Sequence, residues 1–161
     1  MNNDNNQTIS DVLNKRPLNV LQACILQILT ALMTAVTTFN GYEHYVEMAK
    51  QLNREPGSIE QFYFSRIISI TIAVVLAYFF YKGKNWARIV FIVFFIITCA
   101  LQVNIDFNII LQNITEINTI ISLFQIVISL AICCLLLTNE SRNWFREVKL
   151  AYEEAYRDDN E

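Results

Sequence analysis

The stretch YFFYKGKNWARIVFIVFF (78–95) sets two apolar runs on either side of a short charged segment, Lys82 to Arg88. Neither run alternates polar and apolar residues, as a helix on the surface of a soluble protein would. Gly83 gives the segment between them the backbone freedom of a tight turn. The stretch therefore predicts two antiparallel apolar helices that are joined by a short turn and surrounded by lipid.

Long uncharged runs recur along this chain of 161 residues. A helix of about 20 apolar residues crosses the ~30 Å hydrocarbon core of a bilayer. We expect four such spans, at 18–40, 60–81, 86–105 and 116–138. Ser58 and Gln61 form the pattern of a capping box, which predicts that the second helix begins near Ile59. The sequence thus predicts an all-α, integral membrane four-helix bundle within residues 17–138.

Polar segments flank and interrupt the expected spans. Residues 1–16 contain no apolar run and are predicted to be a disordered cytoplasmic leader. Residues 42–53 place apolar side chains on one helical face and charges on the other, which predicts an outer amphipathic helix. Residues 139–161 form a tail with a second amphipathic helix over 141–156. The sequence leaves open whether these two helices contact lipid or protein.

The distribution of Lys and Arg predicts the orientation of the chain. Nine of the 12 basic residues lie in the leader, in the 82–88 turn and in the tail. The other three lie between the first two spans or at the start of the second. Because cytoplasmic loops carry an excess of basic residues, both termini and the 82–88 turn are predicted to be cytoplasmic.

Six side chains are candidates for fixing the topology or forming an interface: Lys82, Lys84, Trp86, Arg88, Arg66 and Trp144. We expect the two lysines to hold the turn on the cytoplasmic side, with Trp86 at the level of the headgroups. Arg88 is expected to extend back to the same interface. Arg66 lies about two turns inside the second span, where it extends to the outer headgroups or pairs with an acid of an outer loop. Trp144 belongs to the apolar stripe of the tail helix.

Uncharged polar residues recur at helical spacing within three of the spans. They are Gln27, Thr30 and Thr34 in the first, Thr98 and Gln102 in the third, and Ser122, Gln125 and Ser129, with Cys133, in the fourth. Such stripes are typical of hydrogen bonds between membrane helices. The alternative is that they line a narrow hydrated path through the bilayer.

The sequence lacks the residues that several kinds of catalytic and binding site need. All four cysteines lie within the spans, without the Cys-x-x-Cys pair near the surface that a disulfide-forming enzyme uses. There is one histidine, His44, and the only acids within the expected spans are Glu60 and Glu116, each at the first position of its span. Phosphate-binding glycine loops and basic nucleic-acid patches are also missing. We therefore expect no catalytic residue, no cofactor, no metal site and no nucleic-acid partner.

Three short motifs carry a resemblance to a known group of proteins: RPLNVLQA (16–23), GKNWARI (83–89) and LLLTNESRNWF (135–145). In this order they resemble uncharacterised bacterial four-span integral membrane proteins, in which a Gly-x-Asn-Trp-Ala-Arg turn precedes the third helix. Asn139 stands where those proteins often have proline. The resemblance implies a multi-pass protein of the bacterial cytoplasmic (inner) membrane, and it implies no reaction or ligand.

Two functions are compatible with these features. The first is a non-enzymatic membrane protein that acts by protein–protein interaction in the bilayer, as a subunit, a regulator or an immunity protein against a toxin. Its partner would be another membrane protein or a second copy of the chain. The alternative is a small homo-oligomeric transporter or channel subunit that uses the polar stripes of spans one, three and four. A membrane enzyme would need an acid or nucleophile that the spans do not offer.

Overall fold

The computed structural model describes residues 3–51, 55–102 and 117–158. These residues form helices, with no strand among them. The helices are α1 (Asn3–Asn14), α2 (Leu18–Gln51), α3 (Ile59–Tyr81), α4 (Asn85–Gln102), α5 (Ile117–Leu137) and α6 (Asn139–Asp158). The described part of the protein is therefore all-helical, as the sequence predicts.

Three of these helices are long and apolar enough to cross a membrane: α3, α5 and the segment Leu18–Phe39 of α2. The apolar segment of α4 is shorter, Asn85–Ala100. Residues 103–105, which were expected to complete the third span, lie outside the described residues. Only 17% of the apolar segment in α5 is buried within the protein, so most of its surface requires a solvent as apolar as lipid.

The four apolar helices contact one another in a closed ring. α2 packs along α3 and α5, and α4 contacts the same two helices from the other side. The large buried side chains of this ring gather near the turn between α3 and α4; they include Val20, Phe80, Ile132 and Leu136. The packed core therefore occupies one end of the ring, and the rest encloses the cavity described below.

Helix α2 is longer than the sequence analysis predicts. Its 34 residues run from Leu18 to Gln51 without a break, and a helix of that length extends about 50 Å. The amphipathic segment predicted at 42–53 is, as far as Gln51, a continuation of the first apolar helix rather than a separate helix. Residues 52 and 53 lie outside the described residues.

Aromatic packing accounts for this continuation. The ring centroids of Tyr42 and Tyr45 lie 5.6 Å and 5.3 Å from that of Phe62 at the start of α3. Gly41, at the expected boundary, costs a helix only about 1 kcal/mol relative to alanine. The contacts among these three rings, with Phe62 buried, outweigh that cost, so the helix extends past the glycine.

Two local sequence predictions at the ends of α3 are confirmed. Ser58 caps the helix: its hydroxyl accepts from the Gln61 amide at 3.3 Å, and the Gln61 side chain accepts from the Ser58 amide at 3.2 Å. At the other end Gly83 has a φ of +68°. This left-handed conformation, which favours glycine, makes the turn into α4 tight.

The two polar ends of the chain pack together. Residues Asn3–Asn14, predicted to be a disordered leader, form the helix α1, which contacts α6. Val12 and Leu13 of α1 pack against the cluster that contains Trp144 and Val148 of α6. The composition of the leader is polar, but its few apolar residues find a partner surface on the tail, and that contact stabilises the helix.

Candidate functional site

A cavity of about 550 Å³ lies between α2, α3, α4 and α5. Its walls combine apolar side chains, among them Ile72, Phe91 and Phe94, with a set of polar ones. The polar set is Gln27, Thr30, Thr34, Arg66, Ser69, Thr98, Cys99, Ser122, Gln125 and Ser129. Among the described residues that line it, none is acidic, so the cavity has one formal positive charge.

The polar stripes predicted from the sequence meet in this cavity. All the predicted stripe residues with described side chains line it, from α2, α4 and α5, except Cys133, which is buried in the core. The side chain of Gln102 lies outside the described part of the chain. The contribution of α3 was not predicted, although Arg66, Ser69 and Ala73 recur at spacings of three and four and so share one helical face.

One hydrogen-bond pair ties α5 to α2 across the cavity. The Gln125 amide nitrogen donates to the Thr34 hydroxyl at 3.0 Å and to the Thr30 carbonyl at 3.4 Å. The Thr34 hydroxyl in turn donates to that same carbonyl at 2.9 Å. Bonds of this kind between membrane helices contribute roughly 0.5–2 kcal/mol each. This part of the stripe therefore joins the helices, as the first interpretation of the stripes expects.

Gln27 differs from the rest of its stripe. Its side chain is 5% exposed and its Oε1 has no hydrogen-bond partner. A buried acceptor without a donor costs roughly 1–3 kcal/mol. Because Gln27 also lines the cavity, a donor group on a molecule inside the cavity would remove that cost.

Arg66 brings the positive charge to the cavity. Its guanidinium carbon lies 5.2 Å from the centre of the Phe62 ring, one turn nearer the start of α3. The side chain therefore extends toward the end of the helix that was expected to be outer, while still lining the cavity. No described carboxylate pairs with it. Asp106 and Glu116, the acidic residues at the expected outer ends of the third and fourth spans, lie outside the described residues.

The predicted interfacial residues fall into two groups. Trp144 is 3% exposed and donates its indole N–H to the Val12 carbonyl at 3.0 Å. It is thus part of the core between α1 and α6 rather than a surface anchor. Trp86 is 48% exposed and packs against Phe79 in a tilted arrangement, with ring centroids 4.7 Å apart. Its half-exposed ring suits the headgroup level that the sequence predicts.

The basic residues of the turn lie on aromatic rings. The Lys84 ammonium is 3.7 Å from the centre of the Tyr152 ring, and the Lys82 ammonium is 5.8 Å from that of Tyr78. The Arg88 guanidinium lies 5.4 Å from the centre of Phe145. The contacts of Lys84 and Arg88 hold the turn against α6, and the contact of Lys82 holds it against the end of α3.

Comparisons of the chain with family models, with curated proteins and with solved structures give no match. The resemblance to bacterial four-span proteins stays a prediction. Within the described ranges, no group of three His, Cys, Asp or Glu side chains could hold a metal ion. A fold alone does not imply a function, so the function depends on the chemistry of the residues that line the cavity.

Proposed function

We propose that this chain is a four-span membrane protein that binds a small organic anion between its helices, as a transporter or channel subunit. The observation that carries the proposal is the convergence of polar side chains from four apolar helices on one cavity. A polar cavity with apolar walls and a few placed hydrogen-bonding groups is the usual form of a small-molecule site. A volume near 550 Å³ is large enough for a solute of several non-hydrogen atoms.

The chemistry of the lining favours an anion. Arg66 supplies a positive charge without a described carboxylate partner. Ionisable residues within membrane spans often mark solute or ion pathways. A carboxylate on the solute would pair with the guanidinium, and a hydroxyl or amino group on it would donate to Gln27 Oε1.

The contact between the two ends of the chain supports four crossings. α1 and α6 touch, so the N-terminal and C-terminal helices lie on one side of any membrane that the protein crosses. The α3–α4 turn is on that side too, because a Cβ at Gly83 would lie within 3.1 Å of Trp144 and Val148 atoms. Three crossings would put the ends on opposite sides. With both ends on one side, the number of crossings is even. We therefore infer that α4 crosses the membrane together with α2, α3 and α5.

The distribution of basic residues indicates which side of the membrane carries the two ends of the chain. That side carries the leader, the turn and the tail, with nine of the 12 basic residues. The positive-inside rule makes that side cytoplasmic. Together with the resemblance, this favours a bacterial inner-membrane protein with both termini inside.

The interaction hypothesis has less support than the cavity. It rested on two amphipathic helices with apolar faces suited to a partner. In the structure Tyr42 and Tyr45 pack on Phe62, and the apolar face of α6 packs on α1 and the α3–α4 turn. The face of α6 is covered within the chain, whereas Tyr45 leaves the face of α2 partly exposed. Binding of a partner through these faces stays a prediction.

Gln27→Leu tests the proposed function. The substitution removes the unpartnered acceptor, so we expect the protein to be as stable or more stable by up to about 1 kcal/mol, and yet to lose solute flux. Flux is measured as release of labelled acetate, lactate, succinate and glutamate from proteoliposomes. The wild type should accelerate release of at least one of them, and Arg66→Gln should lose that flux as well.

Thr71→Val is the matched control. Thr71 is exposed on α3, and its hydroxyl bonds to the carbonyl of Ile67 on its own helix. Its replacement should leave the flux unchanged. If the wild type moves none of the four anions faster than protein-free liposomes, or if Gln27→Leu moves them equally well, the proposal is wrong.

A further inference from the structure

A second cavity, of about 450 Å³, lies where the first turns of α4 and α6 meet. Four cationic side chains line it: Arg88 from α4, and Arg142, Arg146 and Lys149 from α6. No acidic side chain is among the described residues that line it. Like charges that face one space repel each other, so an anion between them would stabilise this arrangement.

The guanidinium groups are available to such an anion. Arg88 Nε and Nη1 are buried without a hydrogen-bond partner, and the Phe145 ring 5.4 Å away holds the guanidinium in place. In the described part of the chain none of the three arginines pairs with a carboxylate. Lys149 does pair, with Glu153 at 3.4 Å, but both side chains are more than half exposed.

Backbone N–H groups also favour an anion in this cavity. Asn85 and Asn139, the first residues of α4 and α6, both line the cavity. The helices have 18 and 20 residues, and the free N–H groups at the start of each favour negative charge. Guanidinium forks with helix N-termini are the donors that proteins use for phosphate groups.

An apolar groove of about 650 Å³ adjoins the cationic cavity and shares Asn85 and Lys149 with it. Trp86, Ile89 and Val148 are among its walls, which also include Lys84 and one acidic side chain, Glu153. Asn85 Oδ1 is buried without a partner, and a hydroxyl or ammonium group on a headgroup would satisfy it. A charged cavity beside an apolar groove fits a molecule with a phosphate at one end and a hydrocarbon chain at the other.

We propose that these two cavities together form a binding site for one anionic phospholipid. The three arginines hold the phosphate, Asn85 accepts from the headgroup, and an acyl chain lies along Trp86 and Ile89. The site is distinct from the cavity of the proposed function and does not depend on it. The bound lipid would join α4 to α6 and so fix the α3–α4 turn against the tail.

The test is a titration of the purified full-length protein in detergent with dioleoylphosphatidylglycerol, followed by native mass spectrometry. The wild type should retain this lipid in preference to dioleoylphosphatidylcholine. Arg142→Gln with Arg146→Gln should weaken retention roughly tenfold or more, since two charge-assisted contacts are lost. Both side chains are exposed, so the fold should survive. Arg88→Lys keeps the charge but loses the fork, and should weaken retention too.

Lys15→Gln with Arg157→Gln is the control, because it removes the same charge at exposed positions outside the cavity. It should retain the lipid as the wild type does. Equal retention of the two lipids, or equal loss in the control, would overturn the proposal. A second arm adds inorganic phosphate. If phosphate alone displaces the lipid and stabilises the protein fully, the phosphate comes from a soluble source and the lipid assignment is wrong.

Discussion

At the scale of single residues, Gly83 has little freedom to change. Its φ is +68°, and a Cβ there would lie 2.8 Å from Val148 Cγ1 and 3.1 Å from Trp144 Cη2. Gly83→Ala is therefore expected to lower the free energy of unfolding by about 1–3 kcal/mol, through left-handed strain and close contact. The midpoint of thermal unfolding in detergent measures the effect.

Gly41→Ala is the matched control for that substitution. Gly41 is helical, and its Cβ would meet only Phe62 Cζ at an ordinary 3.5 Å. Alanine is the better helix former by about 0.5–1 kcal/mol, so this variant should be as stable as the wild type or more so. Equal losses at the two glycines would show that the turn conformation is not what makes Gly83 necessary.

At the scale of elements, α1 depends on its contact with α6. A polar helix of 12 residues is marginal in water by itself, and Val12 and Leu13 are the side chains that pack it against the cluster around Trp144. Val12→Ser with Leu13→Ser should therefore speed amide hydrogen exchange throughout 3–14 while leaving α2 protected. Exchange followed by mass spectrometry measures this.

Asp11→Ser, at an exposed position of the same helix, is the control and should not change the exchange of α1. Fast exchange of residues 3–14 already in the wild type would mean that the leader is disordered, as its composition predicts. In that case the contact between α1 and α6 would not persist in solution.

The elements also show which features a sequence determines by itself. The capping box at Ser58 and the turn at Gly83 depend on neighbours within three or four residues, so the sequence predicts them. The continuation of α2 past Gly41 depends on Phe62, and α1 depends on α6. Both involve contacts between distant segments, which local composition does not reveal.

At the scale of the whole molecule, some features of the cavity follow from local sequence, and others follow from contacts between distant segments. Spacing along one helix predicts each polar stripe, such as Thr30 with Thr34. Whether the stripes meet depends on which helices are neighbours and on their rotation, and these follow from packing. The role of Gln27 illustrates this: its unpartnered oxygen distinguishes it from Gln125, although both read as hydrogen-bonding residues in the sequence.

The number of crossings is a property of the whole chain, and it can be tested with reporters in a bacterial host. Four crossings with cytoplasmic ends predict fluorescence from green fluorescent protein fused after residue 161, because that reporter folds only in the cytoplasm. Alkaline phosphatase, which is active only outside it, should be active when inserted after residue 55 or after residue 108.

The insertion after residue 108 decides between three crossings and four. Residues 103–116 separate α4 from α5, so they are outside only if α4 crosses. An inactive phosphatase there, with an active one after residue 55, would mean that α4 returns to the side on which it began and that α5 carries the tail outward. That arrangement would separate α6 from α1 and break the bond between Trp144 and Val12, so the reporter tests the packing of the two ends together with the topology.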